Sequence, residues 1–103
     1  MKGDIKMSGI KLKRVTLSGV ADDIEVKMET KCLKVMVKNL TDADIYAGIG
    51  TKDEVTLDNK VLIKSNCYQI LMINENEDCF EMFDTLTVSG TGNGTVECIQ
   101  VLY

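Results

Sequence analysis

The sequence predicts an all-β fold: a single antiparallel β-sandwich, jelly-roll or immunoglobulin-like, of about 7–9 short strands. Two observations carry this expectation. Apolar and polar residues alternate with period two in run after run, the pattern of strands with one buried face. Clusters of Asn, Asp, Gly and Ser separate those runs at short intervals. The clearest instance closes the chain, where Thr85 to Tyr103 reads TLTVSGTGNGTVECIQVLY. Leu86 and Val88 alternate with Thr85, Thr87 and Ser89, and Gly90, Gly92 and Gly94 surround Asn93. Asn-Gly tolerates positive φ at both residues and is a strong hairpin signal. A strand, a tight glycine turn and a second strand restarting at Val96 are therefore expected.

Residues 1–9 read as a flexible basic arm and residues 10–103 as one sandwich domain. Ile10 to Leu17 is a first strand whose apolar parity shifts between Leu12 and Val15, which a bulge near Lys13-Arg14 accounts for. Asp23 to Glu29 alternates cleanly, with Ile24, Val26 and Met28 on one face. Cys32 to Lys38 does the same with Leu33, Val35 and Val37, and a meander or hairpin through Thr30-Lys31 joins the two. Asn39 to Asp44 is a turn in which Asx and Thr side chains bond the backbone in place of a ladder partner. Ile45, Ala47 and Ile49 form the inward face of the next strand. Thr51 to Glu54 turns again, Glu54 to Leu57 reads as a short edge strand, and Lys60 to Lys64 follows with Val61 and Ile63 inward.

In two strands the alternation fails. Across Cys67 to Ile73, Tyr68, Ile70 and Met72 share one face while Leu71 and Ile73 occupy the other. A strand apolar on both faces is covered on both sides, here by a loop, the arm or another subunit. In the last strand, Val96 and Cys98 share one parity and Ile99, Val101 and Tyr103 the other. A bulge at Cys98-Ile99 or an oligomer contact reconciles them. Between these strands, Phe80 and Phe83 read as a lid on one end of the core or as an aromatic anchor for a partner. The candidate protein interface is thus Leu71, Ile73, Phe80, Phe83, Ile99, Val101 and Tyr103.

Composition narrows the chemistry. At 103 residues and 45% hydrophobic content, the chain supports one domain with a core of its own. There is no histidine, so Ser-His-Asp and Cys-His nucleophile pairs and the usual near-neutral proton shuttle are excluded. Carboxylate pairs remain able to do acid–base work, but none stands out, and the expectation is a protein that is not an enzyme. Gly48-Ile49-Gly50 and Gly90-Thr91-Gly92 lack the strand-to-helix setting of a dinucleotide loop and read as turns. Asn74, Asn76 and Asp78 alternate as in a calcium loop, yet Cys79 stands where glycine is needed and Thr85 where the bidentate glutamate would be. Cys32, Cys67, Cys79 and Cys98 form no CxxC pair; free, mostly buried thiols reacting only after unfolding are expected, with a disulfide framework as the alternative. No cofactor or metal is implied.

Net charge is −4, divided between about +4 on residues 1–14 and −8 on the remainder. The basic arm is either a solvated tail or a contact for an acidic neighbour. The acidic body and the lack of aromatics among the lysines argue against nucleic acid as a partner. No apolar run reaches the length of a transmembrane helix, and the first residues lack the apolar core of a signal peptide.

VMVKNLTDADIYAGIG, VLIKSNCYQILMI and TLTVSGTGNGTVECIQV, together covering roughly residues 33–101, resemble small virion-associated β-sandwich proteins of tailed bacteriophages and prophages. The resemblance implies a non-enzymatic structural role: capsid decoration, head–tail connection or a fibre-base module. It implies protein partners, either further copies of the chain or capsid and tail proteins, and a location in the virion or the bacterial cytoplasm. Two other classes stay open. One is a carbohydrate- or ligand-binding sandwich, for which Tyr46, Tyr68 and Tyr103 are the aromatic candidates. The other is a small cytoplasmic regulator that masks a partner.

Overall fold

The computed structural model describes residues 10–20, 22–72 and 82–101. They form β1 (Ile10–Ser18), β2 (Asp23–Cys32), β3 (Lys34–Thr41), β4 (Ile45–Ile49), β5 (Lys60–Ile63), β6 (Tyr68–Met72), β7 (Phe83–Gly90) and β8 (Asn93–Val101). The arm expected over residues 1–9 lies outside the described residues. All strand pairs are antiparallel, and the strands divide into two sheets of order β1-β8-β3-β6 and β2-β7-β4-β5. This is the double-sheet jelly roll, the first of the two sandwich types expected.

The topology is a long hairpin rolled up. β4 pairs with β5, β3 with β6, β2 with β7 and β1 with β8, nested about the loop between β4 and β5. Rolling the nested pairs adds the β3–β8 and β4–β7 ladders. Each sheet then turns one face inward. Val26 and Met28 of β2, Val35 and Val37 of β3, Ile45 and Ala47 of β4, Leu86 and Val88 of β7, and Val96 and Cys98 of β8 are buried there together. The period-two pattern is the cause, since alternate side chains leave a pleated strand on opposite faces. Burying each of the valine, leucine, isoleucine and methionine side chains among these contributes about 1.5–3 kcal/mol before the entropy of ordering the chain is charged against it.

Several local expectations are corrected. The closing segment is not a hairpin: β7 and β8 lie in different sheets, so Gly90-Thr91-Gly92 is a corner between the layers. Its glycines meet steric needs of that corner. A Cβ on Gly92 would sit 2.5 Å from Thr41 Oγ1, and Gly94, at φ +134°, packs against the Leu40 carbonyl. Neither expected bulge exists. β1 runs in unbroken register against β8 from Ile10 opposite Val101 to Ser18 opposite Asn93, and β3 meets β8 without a shift from Met36 opposite Ile99 onward. Unbroken register means the parity shifts are real changes of face.

Cys32 ends β2 opposite Phe83, and the chain bends at exposed Leu33 before β3 enters the other sheet, so no hairpin turns at Thr30-Lys31. The irregular register between Lys27 and Cys32 accommodates that departure. Residues 54–57 are a loop, held by Glu54 and Val55 N–H groups donating to the Thr51 carbonyl and by Asn59 Nδ2 donating to the Glu54 carbonyl. Leu57 there is 83% exposed. Val61 lies at the open edge of β5 and is exposed, whereas Ile63 is fully buried.

The expected Asx chemistry is present, but inside the end of β3. Asn39 is fully buried; its Nδ2 donates to the carbonyls of Ala43 and Ile63, and its Oδ1 accepts from Thr41 N and Thr41 Oγ1. One side chain thus ties β3, the following turn and β5 across both sheets. At the opposite opening, buried Gln100 donates from Nε2 to the Thr30 carbonyl at 2.6 Å, joining β8 to β2.

Candidate protein-binding face

The two outer faces of the sandwich differ. On the β2-β7-β4-β5 sheet, the loop between β4 and β5 folds back over the strands. Gly50 N donates to the Thr85 carbonyl, Thr87 Oγ1 donates to the Gly50 carbonyl, and Lys52 N donates to Glu25 Oε2, each within 2.9 Å. Thr87 is buried under this cover although it points away from the core. Tyr46 on the same face carries the Lys60 ammonium 4.9 Å from its ring centroid.

The β1-β8-β3-β6 sheet has no such cover among the described residues. Its register lines up Leu12 opposite Ile99, Ile99 opposite Met36, and Met36 opposite Ile70. One apolar row therefore crosses all four strands on the outer side. Leu12 at one end is 44% exposed and Ile70 at the other 48%; Ile99 and Met36 between them are half-buried by their neighbours. Tyr68 and Met72 extend the patch along β6, 56% and 50% exposed.

Charge borders the row. On one side the register sets Arg14 opposite Glu97, Glu97 opposite Lys38, and Lys38 opposite Tyr68. Arg14 Nε donates to Glu97 Oε2 at 3.0 Å. On the other side Lys34 lies opposite Met72. An apolar centre with a charged margin is the layout of a protein interface rather than of an ordinary solvated sheet face.

The residues singled out from sequence fall in different places. Ile99 is on the outer row. Val101 ends β8 opposite Ile10. Leu71 and Phe83 are in the core, 7% and 8% exposed, so their side chains fill the sandwich. Ile73, Phe80 and Tyr103 lie outside the described residues. Leu12, Met36, Ile70 and Met72 were not singled out, and Tyr68 was named only as an aromatic candidate for ligand binding. Their signal was present in the double-sided pattern of β6, but alternation alone does not say which of two apolar faces is inward.

Openings flank the core among the described residues. Between the edges of β5 and β6 runs a groove of about 460 Å³ lined by Gly48, Ile49, Asn59, Val61, Ile70, Leu71 and Met72. A smaller one of about 70 Å³ lies between β1 and β2, beside the Lys11 Nζ–Glu29 Oε1 bond at 2.8 Å. That hydrogen bond and the Lys11 charge hold the Glu29 carboxyl below the usual carboxylate range. The Thr85 hydroxyl, followed by Lys27, lowers Asp84 in the same way.

Among the described cysteines, Cys32 and Cys98 are buried free thiols and Cys67 is an exposed one, which corrects the expectation that thiols react only after unfolding. Burial pushes the Cys98 thiol up to about 12, the state of an inert structural cysteine. No helix is long and apolar enough to cross a membrane among the described residues. No family model matches the chain, and no curated protein or solved structure is significantly similar to it.

Proposed function

We propose that this protein is a non-enzymatic structural module that works by protein–protein contact, in the manner of the small jelly-roll components that decorate or connect the virions of tailed bacteriophages. The observation that carries the reading is the bare apolar row Leu12–Ile99–Met36–Ile70 across the outer face of one sheet. Solvent-exposed apolar side chains occur singly on any protein, whereas a contiguous patch rimmed by charge marks a binding surface. The jelly roll adds a fold-level analogy, since capsid proteins use it, and analogy alone would not decide function. A sugar-binding role gains nothing from Tyr46, whose ring is occupied by Lys60.

The test is association with particles. Purified protein is mixed with virions of the tailed phage proposed to carry it, and the particles are pelleted through a cushion. Wild-type protein is expected in the pellet at a fixed ratio to capsid protein. The double variant Leu12→Lys, Met36→Lys is expected to stay in the supernatant while keeping its wild-type circular dichroism and melting temperature within a few degrees. Absence of the wild-type protein from the pellet would reject the virion role.

A further inference from the structure

We infer that the protein forms a symmetric dimer by pairing β6 with β6 of a second copy, an occupant that rests on the protein-binding role proposed for this face. A sheet edge presents a row of N–H and C=O groups and invites another strand unless charge, brevity or a bulge blocks it. Three of the four edges are blocked. β1 carries Lys11, Lys13 and Arg14; β2 carries Asp23, Glu25, Lys27, Glu29 and Lys31; β5 has only four residues and begins at Lys60. β6 is the exception. Its sequence Tyr68-Gln69-Ile70-Leu71-Met72 has no charge, and it pairs only with β3 among the described residues.

The register decides the partner. Asn39 N donates to the Cys67 carbonyl. By antiparallel alternation, Val37 and Gln69, then Val35 and Leu71, exchange bonds next. Tyr68, Ile70 and Met72 therefore turn their N–H and C=O groups to the free edge. A two-fold axis at Ile70 sets Ile70 against Ile70 of the second copy and Tyr68 against Met72 of the second copy. Every edge-facing group then meets its complement, and the surface is self-complementary as a closed dimer requires.

The apolar row supports the same axis. It ends at Ile70, the midpoint of β6, so the dyad joins two rows into one band across an eight-stranded sheet. Charge does not oppose the pairing. The nearest like charges on one row, Lys38 and Lys34 of the second copy, are three strand spacings apart, about 14 Å. That exceeds the Debye length of about 8 Å at physiological salt. A five-residue edge buries less than a standard interface, so micromolar affinity is expected.

The experiment is sedimentation velocity from about 1 to about 500 µM, with disulfide trapping in a background where Cys67 and Cys79 are replaced by serine. Facing residues of a hydrogen-bonded pair have Cα atoms about 5.5 Å apart, within disulfide range. Ile70→Cys is expected to trap a covalent dimer on mild oxidation and Leu12→Cys to remain monomeric. Ile70→Lys, which sets lysine against lysine at the axis, is expected to weaken the dimer at least tenfold, while Leu12→Lys leaves it within threefold. A dimer lost in Leu12→Lys but kept in Ile70→Lys overturns the β6 edge in favour of face-to-face stacking. A wild-type protein monomeric at every concentration overturns self-pairing altogether. If that monomer still pellets with particles, the protein-contact role stands without the dimer.

Discussion

Asn39 concentrates more structure in one side chain than any other described residue. It lies at a strand end where the chain passes from one sheet to the other, and there both β5 and the Asp42-Ala43 turn have backbone groups to satisfy. Leaving a buried polar group unpaired costs about 1–3 kcal/mol. Asn39→Ala removes the acceptor of the Thr41 N–H and the side-chain donor to the Ile63 carbonyl, while the Thr41 hydroxyl keeps the Ala43 carbonyl as its acceptor. A loss of about 3 kcal/mol is expected in urea denaturation, with Asn39→Asp also destabilising because it cannot donate. The thiols provide a second test at this scale. Cys67 is expected to react with a thiol reagent in the native protein at neutral pH, whereas Cys32 and Cys98 react only after unfolding. Because the folded Cys98 pKa is raised from 9.0 to about 12, its contribution is fully present below the unfolded value and is lost as pH climbs through that interval. Cys98→Ala is expected to flatten that alkaline decline in stability. Glu29 works in the opposite sense: its lowered carboxyl favours the fold above the ordinary carboxylate pKa and ceases to do so as pH falls through the lowered value. The Lys11–Glu29 pair is solvent-exposed, so its share of acid sensitivity is small.

At the scale of the element, β6 is the strand whose two faces have separate jobs. Leu71 fills the core, while Ile70 on the opposite face stands in solvent. Leu71→Ala removes buried methyl groups and is expected to cost about 2–4 kcal/mol, whereas Ile70→Lys is expected to change monomer stability by less than about 1 kcal/mol. Equilibrium denaturation at low protein concentration, below any self-association, compares the two. Reversed magnitudes would mean that the strand is turned over. β1 has the converse arrangement. Its lysines Lys11 and Lys13 take the parity of inward Val15 and Leu17 at the end where the sandwich opens, and so protect that edge from pairing.

For the whole molecule, the nested pairing has a kinetic consequence. Among the described residues only the β4–β5 pair joins strands adjacent in sequence, and the outermost ladder sets Ile10 opposite Val101. Loops must close before those long-range pairings gain anything, so folding is expected in milliseconds to seconds rather than microseconds. Stopped-flow refolding measures it. Substitutions near the β4–β5 turn are expected to slow folding, and those in the β1–β8 ladder chiefly to speed unfolding. The same roll produces the contrast between outer faces. The β4–β5 loop, at the centre of the hairpin, closes over one sheet, and the other sheet keeps its apolar row uncovered among the described residues.

Strand periodicity was legible because burial on one face imposes a period of two on local sequence. Val26 and Met28, Val35 and Val37, Ile45 and Ala47, and Leu86 and Val88 all declare their inward side without reference to any other strand. The turn chemistry of Asn39 and the all-β class were legible for the same reason: both arise from neighbours in the chain. Partnership between strands was not. The Gly90–Gly94 segment has hairpin composition whether its flanking strands pair or separate into two layers, and the separation is decided by β1 and β3 claiming β8 and by β2 and β4 claiming β7. Nor did the double-sided apolar patterns of β6 and β8 disclose which face was outward, because parity is relative until a second sheet packs against one side. The strands and their alternation follow from neighbours along the chain. Which strands meet, and which apolar face is left bare, depend on contacts between residues far apart in the chain and emerge only when the two sheets pack.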